Sequence, residues 1–131
     1  MPVNYSYIRE NHTIDIYCSG CLTITEINQY FIDIDNDDGI PRETIEIVDL
    51  TGVNDFPVTS IEASAMPALY RKAHDGKAIQ GTILIGAGEA NYGMARMIQT
   101  YFNSIMPGHA FIVVRSREEA HVEIQRIRQA A

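Results

Sequence analysis

The sequence predicts one α/β domain over residues 1–131: a five-stranded, mixed but mostly parallel sheet with four helices, in the order β-β-α-β-α-β-α-β-α. Three observations predict it. Segments of strand-type alternation take turns with segments of helical periodicity, as strand–helix–strand connections require. The stretch "GTILIGAG" is apolar without alternation, as a parallel strand covered on both faces is. The chain of 131 residues is the length of a single domain and carries no internal repeat, low-complexity segment or linker.

The elements follow in order. "VNYSYIRE" and "HTIDIYCSG" both alternate and meet at Asn11-His12, so they read as an antiparallel hairpin. In "TITEINQYFIDID" the residues Ile27, Tyr30, Phe31 and Ile34 recur at helical spacing, with Thr23 and Glu26 in capping-box positions. "DNDDGIPRE" is a polar loop, and "TIEIVDL" is a third strand that ends at a Thr-Gly turn. From Thr59 to about Ala73 the pattern is helical, with Ile61, Ala65, Met66, Leu69 and Tyr70 on one side. After the fourth strand, "ANYGMARMIQTYFNSI" places Met94, Met97, Ile98, Tyr101, Phe102 and Ile105 in a stripe, and Asn91 reads as its cap. "HAFIVV" is a fifth strand, and "SREEAHVEIQRIRQAA" is a closing helix capped by Ser116 with Glu119 three residues on.

Charge narrows the partners. A net charge of −7 and a pI near 4.9 repel phosphate backbones and anionic headgroups, which argues against nucleic acid and acidic membranes. No apolar run approaches the roughly 20 residues of a membrane span. The start "MPVNYSYIRENH" lacks the basic and apolar segments of a signal peptide, so the expected location is cytoplasmic.

Several motifs resemble chemical sites without completing one. Cys18 and Cys21 form a Cys-x-x-Cys, but Cys18 ends an alternating run, whereas a redox pair opens a helix that lowers the thiol pKa. They read as small residues at a strand end and the turn after it. "DIDNDDG" fills the first ligand positions of a calcium loop from Asp33, yet Asp38 stands where glycine belongs and Thr44 where the bidentate glutamate belongs. "GAGEANYG" has Asn91 in place of the third dinucleotide-binding glycine, and Glu89 would oppose a pyrophosphate. His74 and Asp75 in "AHDG" fall at a helix end, with Gly76 as cap. No nucleophile, base and oxyanion donor come together, so neither an enzyme nor a cofactor or metal site is expected.

The informative stretch is "IVDLTGVNDFPVTSIEAS". Thr59 and Glu62 fit a capping box, which starts a helix at Ser60 and leaves Pro67 in its interior. A start after Ser64 would instead bring Pro67 into the first turn, where its missing N–H costs nothing. Either start gathers the hydroxyls of Thr59, Ser60 and Ser64 near a helix N-terminus, where the amides and helix dipole favour a phosphate.

The whole chain resembles the STAS domain of bacterial anti-sigma-factor antagonists, more closely the SpoIIAA-like branch. The element order carries the resemblance, together with "IVDLTGV", "YGMARMIQTYF" and "FIVVRSREEAHVEI". It implies a non-enzymatic regulatory module that binds a protein partner, an anti-sigma-factor kinase-like protein, through Asp55, Phe56, Pro57, Glu62 and Ser64. Thr59 and Ser60 would be its phosphoacceptors. The family's Asp-Ser-x-Gly context is absent, since Asp55 is followed by Phe56-Pro57-Val58. Other members of the branch resemble carriers of a small apolar or lipid ligand between sheet and helices. Here that implies a pocket of Met66, Tyr70, Met94, Met97 and Tyr101, with Met66-Pro67 as a lid. Complex formation abolished by Ser60→Glu would mark the first role, and a co-purified lipid the second.

Overall fold

The computed structural model describes residues 2–41, 43–73 and 79–130; the His74-Asp75 helix end with Gly76 lies outside them. The elements run β1 (Val3–Ile8), β2 (Thr13–Cys21), α1 (Ile24–Asp35), β3 (Ile45–Asp55), α2 (Ser60–Ala73), β4 (Gly81–Ile85), α3 (Glu89–Ile105), β5 (Ala110–Val114) and α4 (Arg117–Ala130). They form one sheet in the order β1-β2-β3-β4-β5. β1 is antiparallel to β2, and every later pair is parallel.

This order fixes where the helices go. Each parallel connection steps to the next strand in the same direction, and such crossovers are right-handed, so α1, α2 and α3 fall on one face. Their buried residues form a cluster with Ile14, Ile16, Leu50, Leu84 and Phe111 of the sheet. α4 follows the last strand and packs Ala120, Ile124 and Ile127 on Ile45, Ile47, Ile83 and Ile85 of the opposite face. β4 is buried along its whole length because both faces are covered. Edge-to-face rings link the three helices: Phe31 of α1 to Tyr70 of α2 at 5.1 Å, and Tyr70 to Phe102 of α3 at 5.5 Å.

The caps of α1 and α4 take the form read from the sequence. Thr23 and Glu26 make a reciprocal box, and Ser116 accepts the Glu119 amide at 3.2 Å. Four local features differ. Thr51-Gly52 is no turn, because β3 continues through it to Asp55. Two register shifts each give β3 one extra residue against β2, and a Cβ at Gly52 would overlap the Tyr17 ring and hydroxyl, so glycine permits the close crossing. Cys21 accordingly ends β2 instead of lying in a turn. Asn91 does not cap α3, which Gly88 precedes at φ +83. Its side-chain amide donates to the Leu50 and Val53 carbonyls at 3.0 and 3.2 Å, tying α3 to the irregular part of β3. Finally, Ile61 and Ala65 of α2 and Ile105 of α3 are exposed.

Candidate functional site

The β3–α2 junction is built by local hydrogen bonds. Asp55 closes β3, its carbonyl accepting the Leu22 amide at 2.9 Å. Phe56 turns half inward, and the Val58 amide returns to the Phe56 carbonyl at 2.8 Å, a tight turn around the exposed Pro57. Thr59 then caps α2: its hydroxyl accepts the Glu62 amide at 3.1 Å, and its own amide donates to Glu62 Oε1 at 2.9 Å. The helix therefore starts at Ser60 and not after Ser64, whose hydroxyl donates to the Ile61 carbonyl at 2.7 Å. Pro67 sits buried inside α2 and has no N–H for the Ala63 carbonyl.

The two candidate phosphoacceptors differ in consequence. The Thr59 hydroxyl is engaged in the cap, whereas the Ser60 hydroxyl is exposed and has no hydrogen-bond partner among the described residues. Beside it Ile61 stands 80% exposed, the largest exposure among the large apolar side chains of the described residues. Asp55, Pro57 and Ser64 are exposed as well, and Glu62 is half-buried.

A second constellation lies under α1 and α2. Glu46 of β3 is 1% exposed. Tyr30 of α1 donates to its Oε2, while Tyr70 of α2 and Thr82 of β4 donate to its Oε1 at 2.7 and 2.8 Å. The Thr82 hydroxyl also lies 2.9 Å from His109 Nε2. Burial, followed by the adjacent carboxylate, pushes both tyrosine hydroxyls well above their ordinary pKa. Sequence reasoning missed this centre. The available signal was alternation in "TIEIVDL", which puts Glu46 on the side opposite Ile45 and Ile47, in a strand with helices predicted on either side.

Next to this cluster is a cavity of about 70 Å³, lined by residues that include Ile16, Leu50, Leu84, Ile98 and Phe102. Met66 and Tyr70 line it as well, and so does Phe56 from the α2 junction. Met94, Met97 and Tyr101 do not; they are half-buried and pack against the core from neighbouring positions on α3. Residues Ala95, Ile98 and Phe102 form the buried stripe of that helix instead.

The remaining motifs are engaged structurally. Cys18 is buried, which pushes its thiol up to about 12 with help from Asp49 and Glu26. The exposed Cys21 donates to Asp55 Oδ2 at 3.6 Å, and its pKa is also raised, by desolvation and then by that bond. Raised thiol pKa values oppose the thiolate that redox exchange needs. In the acidic loop, Asp37 accepts from Tyr5 Oη at 3.1 Å and from the Gly39 amide at 3.0 Å. Among the described residues no three His, Cys, Asp or Glu side chains group to hold a metal ion, and no helix is long and apolar enough to cross a membrane.

No family model matches this chain, and neither does any curated protein sequence. Solved structures do. One is an uncharacterized protein of the DUF3478 family with a SpoIIAA-like fold from Shewanella loihica PV-4. It is 17% identical, with a TM-score of 0.58, over 93% of this chain and 91% of that one. Another is the anti-sigma factor antagonist SpoIIAA in its unphosphorylated form, 12% identical with a TM-score of 0.50, over 94% of this chain and 97% of that one. With this element order and sheet topology, the chain has the SpoIIAA-like fold.

Proposed function

We propose that the protein is a non-enzymatic regulatory module whose partner docks on the β3–α2 junction and the first turn of α2. The observation that carries this reading is the exposed Ile61, next in the chain to the unengaged Ser60 hydroxyl and to Glu62, on a junction that opens with the exposed Asp55. A large apolar side chain in an acidic, hydroxyl-rich surround suits a partner with an apolar anchor and a basic rim. The similarity to an anti-sigma factor antagonist supports a protein partner of the anti-sigma-factor kinase type. Ser60 is the better phosphoacceptor, because modifying Thr59 would first break the cap. A phosphate at Ser60 would add about two strongly hydrated negative charges beside the Ile61 anchor, and the cost of desolvating them would oppose its burial by the partner.

The carrier reading is weaker on size. Pockets for drug-sized or larger ligands run to about 300 Å³ and more, several times the cavity seen here. The test is affinity capture from lysate with wild-type protein and with Ser60→Glu, coupled to mass mapping of phosphate. A partner retained by wild type and lost with Ser60→Glu supports the docking surface. Equal retention by both removes Ser60 from the interface.

A further inference from the structure

β5 is the last strand of the sheet, so one side of its backbone has no neighbouring strand. On the inner side the Val114 carbonyl accepts the Gly86 amide at 2.9 Å. Backbone direction alternates along a strand, so Phe111 and Val113 turn their amides and carbonyls outward, as Arg115 turns its amide. Side chains hold two of those groups. Gln99 Nε2 of α3 donates to the Phe111 carbonyl at 3.0 Å, and Glu119 of α4 accepts the Arg115 amide at 2.6 Å. Between them the amide and carbonyl of Val113 have no hydrogen-bond partner among the described residues, and a groove bordered by Tyr92, Glu119, Val122 and Glu123 lies beside them.

The held groups complement one another. Where two copies of β5 run antiparallel about Val113, the two Val113 residues exchange both hydrogen bonds, and Phe111 lies opposite Arg115 of the other copy. The carbonyl that Gln99 holds then meets the amide that Glu119 holds. The adjoining flank of α4 repeats the match. Glu119, Val122 and Arg126 recur there at i, i+3 and i+7, acidic at one end, basic at the other and apolar between. Against an antiparallel copy, Glu119 faces Arg126 at both ends, and the exposed Val122 side chains meet between them. Arg126 bonds Glu123 at 3.0 Å yet stays 70% exposed, within reach of that copy. The spacing also agrees. α4 lies between β4 and β5, and strands pair about 4.8 Å apart. Two copies of α4 would therefore lie about 10 Å apart, which is the distance of packed helices.

We propose that the outer edge of β5, with the adjoining flank of α4, is the docking surface for a second copy of this chain. The two sheets join into one across a two-fold axis at Val113, and Gln99 and Glu119 hold the edge closed in the monomer. This surface is separate from the β3–α2 junction, and either can fail without the other.

The experiment is analytical ultracentrifugation over a concentration series, with Arg126→Glu, Glu119→Arg and Val113→Pro beside wild type. Wild type should pass from a 14.7 kDa monomer toward twice that mass as its concentration rises to about 1 mM. Exchange of the Val113 amide should slow in the same range. Arg126→Glu and Glu119→Arg should each weaken self-association at least tenfold. Mixing the two should restore it, because in the mixed dimer every glutamate at these positions again faces an arginine. Val113→Pro removes an outward N–H without loss of a bond to β4, and should also weaken self-association at least tenfold. Should Glu119→Arg not fold for want of its cap, Arg126→Glu and Val113→Pro decide. A wild type that stays monomeric to about 1 mM overturns the proposal. So does a dimer that persists in both Arg126→Glu and Val113→Pro, because the copies would then meet elsewhere.

Discussion

The two halves of α2 are held in different ways. Its first half, from Ser60 to Ala65, is fixed by local bonds, the Thr59–Glu62 box and the Ser64 hydroxyl on the Ile61 carbonyl, and places only Ala63 in the core. It leaves Ser60, Ile61, Ser64 and Ala65 exposed. The second half buries Met66, Pro67 and Tyr70, and Tyr70 reaches the central strand through Glu46. One half anchors and the other presents. The division teaches that an exposed apolar residue on a short helix can be tolerated when the same helix is secured elsewhere. Pro67 stands between the halves, where the backbone ladder lacks a donor.

Removing the anchor should have the largest effect. Glu46→Ala leaves the hydroxyls of Tyr30, Tyr70 and Thr82 buried around a missing acceptor. Each unsatisfied group costs about 1–3 kcal/mol, so urea denaturation should show a loss of about 3 kcal/mol or more. A loss below about 1 kcal/mol would break the comparison, because Glu46 would not then be an anchor.

Tyr70→Phe comes next, at about 1–2 kcal/mol, since it removes one donor and keeps the ring packing. The same group predicts a pH dependence. Burial, and then the adjacent carboxylate, hold the Tyr30 and Tyr70 hydroxyls well above the ordinary tyrosine pKa of about 10. Their contribution is fully present below pH 10. Above it the unfolded chain releases protons that the folded state still holds, so stability falls as pH rises. Denaturation from pH 8 to about 11 should show this decline, and Tyr30→Phe with Tyr70→Phe should flatten it.

On the presenting half the effects should be smaller. Thr59→Ala removes the cap at a cost of about 1 kcal/mol, with hydrogen exchange quickened in the first turn of α2 and unchanged in the sheet. Ser60→Ala should shift stability by less than about 0.5 kcal/mol, because its hydroxyl is exposed and unengaged. A larger shift would mean that Ser60 is structural and not a presented group.

Much of this was legible in the sequence because it depends on short-range pattern. The element order, the buried face of α1 and the Thr23, Thr59 and Ser116 caps follow from spacing over a few residues. What escaped depends on distant partners. β3 runs through Thr51-Gly52 because Tyr17 crosses Gly52 from β2, which no local signal encodes. Asn91 looked like a cap, yet it reaches carbonyls about forty positions earlier in the chain. Ile61 fitted a helical stripe, but it lies on the outward face of α2 with the exposed Ser64, Ala65 and Ala68, while Ala63, Met66 and Tyr70 face the core. Of the candidate site, the residues from Asp55 to Ser64 could be named in advance. Alternation places Glu46 opposite Ile45 and Ile47, but its donors could not be named, since they come from α1, α2 and β4, and neither could the pocket beside them.

The most direct test of the central claim compares exposed apolar residues at separate places on the surface. Ile61 is 80% exposed on α2, and Val122 is 57% exposed on α4. Affinity capture with wild type, Ile61→Asp and Val122→Asp, each checked for native stability, asks which surface a partner uses. The account predicts that the partner is lost with Ile61→Asp and kept with Val122→Asp. A partner kept by Ile61→Asp and lost by Val122→Asp would contradict it and move the docking surface to the opposite face of the sheet.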